Sequence, residues 1–361
     1  MRKLASIREV SDKRAIPGAD NIEMVVVDGW ECVVLKSENI NIGDKVVYIE
    51  IDSIVPDCET FEFMRERKFR VKTIKLRGQI SQGLVQPMCI LKKPANKYKL
   101  GDDVTEELGI KKYDLQVVKE YKMKQCSRRP RNKFLKWLIR YEWFRELWRK
   151  THIDAIEMPG WIIKTDEERV QNIPRDYAQW SEEKIKFIVT EKLDGYSYTA
   201  FIKDNEFGIC SRNLLLLKNN SNNHHYFDVT KAYNIKAVLE YLKEELNANR
   251  IVLQGEIIGP DIQSNKYDLH KYYLYVFNLI VDNKKLSYNE TYQLIKNHKL
   301  MMVPLLEDNY ILPNNIRDIV EYSKGNSVLL KRKREGIVIR NDQNNISFKV
   351  INPDFLLEEK E

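Results

Sequence analysis

Hydrophobic and polar residues alternate in short runs through the first hundred positions. The runs are rich in valine, isoleucine and aromatic residues, which favour strands, and glycine or aspartate separates them. Five strands are predicted, at residues 21–27, 30–35, 45–51, 69–76 and 80–85. The dipeptide Asp28-Gly29 between the first two is typical of a hairpin turn. Five short strands joined by glycine turns indicate a small closed β-barrel, most simply an OB-fold.

The fourth predicted strand carries a row of basic side chains. Lys68, Arg70 and Lys72 share one face by alternation, and Lys75 and Arg77 continue it after a change of phase. A basic barrel face suits the backbone of a nucleic acid. A solvated, lysine-rich edge that discourages aggregation explains any single residue of this row equally well.

Apolar runs of strand length also appear in the second half of the chain, and they predict a separate β-rich unit. The runs cover residues 185–189, 196–202, 251–259, 273–280, 336–340 and 346–350. Charged residues interrupt or end several of them, although a buried strand is normally apolar throughout. These charged residues are therefore the candidates for chemistry.

Lys192 is the most informative of these residues. It follows the apolar run 185–189, and Asp194 and Gly195 complete the pattern K-x-D-G before the next run begins. A lysine at a strand end can act as a nucleophile when nearby cations or burial lower its pKa. A charged strand end followed by a glycine turn also produces this pattern, so its meaning depends on the residues that follow.

Several later residues match what a nucleophilic lysine requires for phosphoryl transfer. Such a site needs carboxylates for a metal ion, cations for phosphate oxygens and a clamp for the base. Glu256 interrupts the buried run 251–259, where an unpaired carboxylate is costly. Glu335 opens the run 336–340, Lys349 interrupts the run 346–350, and Arg212 follows a short strand.

In this order the motifs K-x-D-G, S-R, G-E, aromatic-x-F, E-G-I-V-I-R and S-F-K resemble those of ATP-dependent polynucleotide ligases. Their spacing and the N-terminal half most resemble the RNA ligases of the Naegleria and Deinococcus type. The resemblance implies an α+β chain with an N-terminal OB-fold β-barrel and a nucleotidyltransferase domain of ATP-grasp-like antiparallel sheets. The expected domains are the OB-fold at 1–110, a basic helical linker at 111–160 and the adenylyltransferase domain at 161–361.

The resemblance also implies roles in catalysis and metal binding. Lys192 would form the lysyl-adenylate, and Asp194, Glu256 and Glu335 would face a catalytic Mg²⁺ or Mn²⁺. Lys349 would hold the α-phosphate of ATP and stabilise charge as pyrophosphate leaves. Glu256, Glu335 and Lys349 are thus expected to be catalytic together with Lys192.

Further positions would bind the nucleotide. Phe277 would stack on adenine, and Glu191 would read the edge of the base. Arg212 would contact the ribose or the 3′-OH end of the RNA. Lys164 and Arg169 resemble the segment that precedes the nucleophile in this family, and Arg169 would bind the β- and γ-phosphates.

The sequence departs from the family pattern at three places. Many relatives have two lysines spaced by one residue in the last motif, but Ser347 and Ile351 flank Lys349 at that spacing. Asn278 stands where related ligases often have aspartate, which argues against a metal ligand there. Ser197 stands where many DNA ligases have arginine, a difference shared with RNA ligases.

Several assignments have structural alternatives. Lys349 and Arg340 could be solvent-facing residues on alternating strands, and Phe277 could belong to the core. Glu335 follows four basic residues and could be a salt-bridged surface acid. Glu256 is the hardest to explain in this way because its neighbours are apolar.

The net charge of the chain is +7, yet residues 119–150 alone carry twelve basic and three acidic side chains. Large apolar residues of this segment fall near one helical face, which predicts an amphipathic helix. Such a helix could pack on a domain, gather phosphates with its basic side, or lie on a membrane surface. The five cysteines are scattered and predict neither a zinc site nor a disulfide framework.

No apolar run reaches the roughly 20 residues of a membrane span, and no signal peptide is recognised, so a cytoplasmic location is expected. The residues after Lys349 leave no room for the C-terminal OB domain of DNA ligases and capping enzymes. We therefore expect a monomeric ATP-dependent RNA ligase that acts in RNA repair on strands with 3′-OH and 5′-phosphate ends. The alternatives are a DNA ligase, a capping-type guanylyltransferase and a non-catalytic nucleic-acid-binding relative.

Overall fold

The computed structural model describes residues 3–113, 133–138, 140–144, 154–330 and 332–358. The strands and α-helices of these ranges are numbered in chain order. The strands of the N-terminal part are β1 (Ala5–Ala15), β2 (Ile22–Val27), β3 (Trp30–Leu35), β4 (Lys45–Ile49), β5 (Ser53–Ile54), β6 (Arg70–Val71), β7 (Thr73–Leu76), β8 (Gln79–Gln82), β9 (Leu84–Pro87) and β10 (Lys111–Lys112).

The N-terminal strands form a five-stranded sheet in the order β3-β2-β1-β4-β9, with a three-stranded sheet β10-β5-β6 and the hairpin β7-β8 beside it. The turn at Asp28 and Gly29 joins β2 to β3, as the sequence predicts. Valine and isoleucine side chains fill the interior, where the ring of Trp30 stacks on Tyr48 with 5.6 Å between centroids. The strand predicted at 69–76 is interrupted at Lys72, which accounts for the change of phase in its basic row.

The second part of the chain contains the remaining strands and the helices. The strands are β11 (Ala155–Glu157), β12 (Glu168–Arg169), β13 (Lys186–Lys192), β14 (Tyr196–Lys203), β15 (Glu206–Cys210), β16 (Leu214–Leu216), β17 (Arg250–Ile258), β18 (Tyr273–Val281), β19 (Lys284–Lys285), β20 (Met301–Met302), β21 (Leu305–Ile311), β22 (Gly336–Asn341) and β23 (Ile346–Ile351). The helices are α1 (Lys133–Leu138), α2 (Pro174–Glu182), α3 (His224–Ala232), α4 (Ile235–Glu245), α5 (Tyr288–Ile295), α6 (Ile316–Ser323) and α7 (Pro353–Leu356).

These strands build two sheets. The larger has the order β11-β16-β15-β14-β17-β18-β19, with β20 beside β18, and the smaller has the order β12-β23-β22-β13-β21. Helices α3 and α4 cover the larger sheet through Val229 and Leu239, whereas α6 packs Ile319 against the core of the smaller sheet. Burial of these apolar faces is the main favourable contribution to folding.

The chain crosses from the smaller to the larger sheet through residues 193–195, between β13 and β14. Gly195 is required at this crossing because a Cβ atom there would lie 2.3 Å from the carbonyl oxygen of Ile257. The crossing therefore brings Gly195 directly against β17, and it places the K-x-D-G pattern between the two sheets.

The N-terminal part contacts the smaller sheet of the second part. The side-chain amide of Asn172 donates a hydrogen bond of 2.7 Å to Glu50, and the indole N–H of Trp30 donates one of 3.4 Å to Asn172. The predicted boundaries at 110 and 160 remain predictions. Near them, β10 pairs with β5 of the N-terminal part and β11 pairs with β16 of the second part.

Most of the basic segment at 119–150 lies outside the described residues, so only a part of the amphipathic helix predicted there can be described. Within the described part of this segment, α1 brings Trp137 and Tyr141 into an edge-to-face contact with 5.3 Å between ring centroids. Among the helices that the structure describes, none combines the length and the apolar character needed to cross a membrane.

Candidate active site

Lys192 ends β13 beside β22, where it pairs with Gly336, and Glu335 immediately precedes that residue. The amine Nζ of Lys192 donates hydrogen bonds of 2.7 Å to both carboxylate oxygens of Glu335. Glu335 is therefore an acid paired inside a cleft and not a surface residue, since only 15% of its side chain is exposed.

The charges around Lys192 favour its protonated form. Burial by itself lowers the pKa of Lys192, but the carboxylates of Glu335, Glu256 and Asp194 outweigh burial, so the pKa is raised. Burial also raises the pKa of Glu335, and it raises the pKa of Glu256 to about 8. The lowered pKa that the sequence suggests for a nucleophilic lysine is not found, because the neighbouring charges are carboxylates.

Asp194 is held by two residues that the sequence analysis does not single out. Its carboxylate accepts a hydrogen bond of 2.7 Å from Nζ of Lys266, and its backbone N–H donates one of 2.8 Å to the hydroxyl of Tyr267. Both partners come from the connection between β17 and β18. No periodic or motif signal marks this connection, so only the folded chain reveals the contact.

Glu191 and Phe277 line the same cleft as Lys192. Glu191 is 1% exposed, and its Oε2 accepts a hydrogen bond of 2.8 Å from the backbone N–H of Val328. Its Oε1 is buried and has no hydrogen-bond partner among the described residues. Phe277 packs against a small cluster that includes Val303, yet it also lines the cleft. Phe277 therefore belongs to the edge of the core and is also accessible from the cleft, and its stacking on adenine remains a prediction.

Arg212 and Asp166 form an ion pair at the edge of the same cleft, with distances of 2.6 and 2.8 Å from one guanidinium nitrogen to the two carboxylate oxygens. Burial raises the pKa of Asp166, but the hydrogen bond from Arg212 and the charges of Lys349 and Lys112 outweigh it, so this pKa is lowered. Asp166 thus lies in a group of cations from three different elements. Such a group suits phosphate oxygens.

Arg340 is buried, so it is not the solvent-facing residue considered from the sequence. Its guanidinium donates hydrogen bonds of 2.7 Å to the carbonyl oxygen of Phe277 and 3.1 Å to the side chain of Asn278. Asn278 in turn donates a hydrogen bond of 2.9 Å to Gln254. This network holds the backbone at Phe277. The side chain of Asn278 is engaged in the same network and therefore has a structural role.

The remaining predicted residues lie around the cleft. Lys349 on β23 lines it together with Ile351, whereas Ser347 does not. Arg169 is buried where the two parts of the chain meet, 3.7 Å from the carboxylate of Asp52. Lys164 donates a hydrogen bond of 3.3 Å to Asn213, outside the group of residues that line the cleft.

The cleft has a volume of about 1610 Å³ and is lined by both parts of the chain. Lys192, Asp194 and Glu256 are among the residues that line it. The N-terminal part contributes six basic residues to the same lining, here called the basic wall, namely Arg67, Lys68, Arg70, Lys72, Lys75 and Lys112. A cleft that combines carboxylates and an amine with these cations can hold a polyanion at the amine.

The donor set fits a hard divalent cation, although the described residues contain no preassembled group of three acidic, histidine or cysteine ligands. Asp194, Glu256 and Glu335 offer carboxylate oxygens, which Mg²⁺ and Mn²⁺ prefer. The raised pKa of Glu256 reflects burial and the adjacent negative charges. A bound cation would relieve this repulsion.

The two sheets, the K-x-D-G crossing between them and the carboxylates around the lysine define a domain of the nucleotidyltransferase class. A family model described as RNA ligase matches residues 185–351, and one described as OB-fold domain matches residues 4–88. No curated protein matches the sequence.

Solved structures of Naegleria gruberi RNA ligase are similar to this chain. A glutamate-to-alanine mutant with ATP and Mn is 32% identical, with a TM-score of 0.79 and 100% of both chains covered. A lysine-to-alanine mutant with ATP and Mn is 32% identical, with a TM-score of 0.78 and 98% of both chains covered. The same ligase with PPi is 33% identical, with a TM-score of 0.78, and the match covers 99% of this chain and 98% of the ligase.

The chain belongs to the RNA ligase family. The predicted fold class, an OB-fold followed by a nucleotidyltransferase domain, is confirmed, and so is the predicted enzyme class. The roles of the individual site residues remain predictions.

Proposed function

We propose that this protein is an ATP-dependent RNA ligase whose nucleophile is Lys192. The amine attacks the α-phosphorus of ATP, a phosphoramidate bond to AMP forms, and pyrophosphate leaves. AMP then passes to the 5′-phosphate of an RNA strand, and a 3′-OH displaces AMP as the phosphodiester bond closes. The observation that carries this proposal is the position of Lys192 between two sheets, inside a cleft and against three carboxylates.

Glu335 is the group best placed to take the proton from Lys192. An ammonium group has no lone pair for attack, so the proton has to leave before the bond to phosphorus forms. Glu335 lies 2.7 Å away, and its raised pKa makes it a better proton acceptor than an exposed carboxylate. When bound by Asp194, Glu256 and Glu335, Mg²⁺ or Mn²⁺ would neutralise phosphate charge.

The buried carboxylate of Glu191 supports a preference for adenine over guanine. Oε1 of Glu191 is a buried acceptor that has no hydrogen-bond partner among the described residues. The 6-amino group of adenine can donate to it, whereas the 6-oxo group of guanine is itself an acceptor. Phe277 would contact the face of the base. In GTP the 6-oxo group would place one acceptor against another at Glu191, and this unfavourable contact would exclude GTP.

Cations around the cleft would bind the phosphates of ATP and of the RNA. Arg212 pairs with Asp166, and the charge of Lys349 also lowers the pKa of Asp166. We assign the α-phosphate to Lys349 and the ribose or 3′-OH end to Arg212. Arg169 would reach the β- and γ-phosphates from the contact between the two parts of the chain. The basic wall of the N-terminal part would follow the backbone of the RNA, with affinity that falls as salt rises.

Incubation with α-labelled ATP or GTP and a divalent cation, followed by mass spectrometry of the intact chain, tests the reaction. We expect a gain of one AMP from ATP, no gain from GTP, and no gain for K192A. Label from GTP would support a guanylyltransferase, and no label from either nucleotide would support a non-catalytic relative.

Matched nicked duplexes test the proposed polynucleotide substrate. We expect sealing when the strand with the 3′-OH end is RNA, and much slower sealing when both strands at the nick are DNA. Equal rates on both substrates would contradict an RNA ligase and favour a DNA ligase.

A further inference from the structure

The connection between β17 and β18 adopts an unusual backbone as it enters the cleft. Several non-glycine residues have positive φ angles between 46° and 61°, namely Asp261, Gln263, Ser264, Asn265 and Asp268. A side chain with a Cβ atom is strained in this region, and such strain persists only where the surrounding structure enforces it. Within this stretch, the buried residues Ile262 and Tyr267 anchor the connection in the protein interior.

The strained backbone delivers one amine to the active site. Nζ of Lys266 lies 2.7 Å from the carboxylate of Asp194 and 4.3 Å from the centre of the Phe355 ring. The carbonyl oxygen of Lys266 also accepts a hydrogen bond of 2.8 Å from Arg332. Lys266 is therefore fixed by its side chain and its backbone, and it lines the same cleft as Lys192.

On the strand that carries Lys349, the next residue on the same face is apolar and supplies no second amine. Because side chains two residues apart share a face of a strand, Ile351 points to the same side as Lys349, and both line the cleft. In the sheet, Ile351 pairs with Gly336, which pairs with Lys192 on its other side. The position in line with the nucleophile is thus apolar, and Lys266 brings a cation to this end of the cleft from a different element.

We propose that Lys266 is a second phosphate-binding amine, which contacts the α-phosphoryl oxygens of ATP while Lys192 is adenylylated. In the structure Asp194 holds this amine. Once nucleotide enters, its phosphate oxygens compete with Asp194 for the amine. Lys266 binds the phosphate through hydrogen bonds and forms no covalent bond. The bond that forms joins Nζ of Lys192 to the α-phosphorus, the bond that breaks releases pyrophosphate, and Glu335 takes the proton.

This inference rests on the proposed adenylylation of Lys192, and the two can fail separately. The variant K266Q removes the charge but preserves a hydrogen bond to Asp194, K266R keeps the charge, and K271Q is the matched control. Lys271 lies on the same connection but is exposed and does not line the cleft. K266M keeps the aliphatic stem over Phe355 and serves as a second variant without the charge.

Rates of lysyl-AMP formation at saturating ATP provide the first measurement. We expect lysyl-AMP formation to be about 10- to 100-fold slower in K266Q and K266M, because one donor to the developing phosphate charge is lost. K266R should remain within about threefold of wild type. K271Q should match wild type within about twofold. Addition of I351K to K266Q should restore about fivefold or more, because it returns an amine to the strand that carries Lys349.

ATP binding without turnover provides a second measurement. In the K192M background, calorimetry should show about fivefold to tenfold weaker ATP binding after K266Q is added and little change after K271Q is added. Two results would overturn the role of Lys266: unchanged rate and affinity in K266Q, or K266R as slow as K266Q with no recovery by I351K. If K192A still took up AMP, the adenylylation proposal itself would fail, whatever the Lys266 variants did.

Discussion

At the scale of single residues, the pair formed by Lys192 and Glu335 decides where the reactive proton resides. Both oxygens of Glu335 lie 2.7 Å from the amine, so the ammonium form is the stable one before nucleotide binds. Burial acts in the opposite direction on the same amine. The opposing effects of Glu335 and of burial on the pKa of Lys192 can therefore be separated by mutation.

The variant E335Q should lower the pKa of Lys192. The amide removes the charge that most raises this pKa and leaves the effect of burial, which lowers it. The pKa can be followed by NMR titration of lysines labelled at Cε. E321Q is a matched control, since Glu321 pairs with Lys324 on an exposed surface and should leave Lys192 unchanged. An unchanged or higher pKa in E335Q would contradict this account of the site.

The variant E256Q should change how stability depends on pH. In the folded chain the pKa of Glu256 is raised to about 8, chiefly by burial, so the folded state binds the proton more tightly than the unfolded state does. The stabilisation by the protonated form is complete below the unfolded pKa of about 4.3 and is lost as the pH rises through about 8.

Glutamine cannot ionise, so E256Q should gain about 2 to 4 kcal/mol of unfolding free energy relative to wild type between pH 5 and pH 9. Urea unfolding of both proteins at the two pH values measures this difference. Parallel pH profiles would show that Glu256 is not desolvated in the folded chain.

At the scale of elements, the crossing between β13 and β14 depends on close contact with β17. A Cβ atom at Gly195 would lie 2.3 Å from the carbonyl oxygen of Ile257 and 2.8 Å from the side chain of Glu256. The clash involves backbone, which cannot move without shifting a central strand of the larger sheet. The geometry of Asp194 and Lys192 therefore depends on a residue that itself has no reactive group.

The variant G195A should lose about 2 kcal/mol or more of unfolding free energy, because a side-chain methyl group cannot fit between the strands. Chemical denaturation measures the loss. G160A is the control, since no atom lies within 4 Å of a Cβ built at Gly160, and it should be within about 0.5 kcal/mol of wild type. Equal losses in the two variants would refute the importance of this contact.

The elements themselves were predictable to different degrees. The hairpin around Asp28 and Gly29 followed from its turn residues, since few dipeptides tolerate that conformation. Strand β1 was missed, because its charged residues and the irregular pairing between Val10 and Asp12 hide the alternation. The strand predicted at 69–76 became two strands because the chain changes partner at Lys72.

At the scale of the whole molecule, the cleft is lined by two parts of the chain that meet. Asn172 connects them through hydrogen bonds with Glu50 and Trp30, and Arg169 lies beside Asp52 at the same contact. The basic wall thus lines the same cleft as Lys192. A polynucleotide bound at the amine would therefore touch the N-terminal part as well.

The double variant K72Q/K75Q should bind nicked RNA more weakly and with less sensitivity to salt. Each lysine that contacts a phosphate releases counterions, so the loss of two contacts should reduce the slope of log K against log salt by about 1.5. Fluorescence anisotropy across a salt series measures this slope. The exposed control K97Q lies on the N-terminal part but away from the cleft, and it should leave the slope unchanged. An unaltered slope in K72Q/K75Q would exclude this wall as the binding surface.

Apolar periodicity and a charge inside an apolar run are local signals, so they predicted most of the strands, the candidate nucleophile and the acids near it. The long-range contacts came only from the folded chain: Lys192 is held by Glu335, Arg340 is buried behind Phe277, and Lys266 reaches Asp194. These contacts join residues that are 63 to 143 positions apart. Long-range pairing and electrostatic balance depend on packing, and no local pattern encodes them.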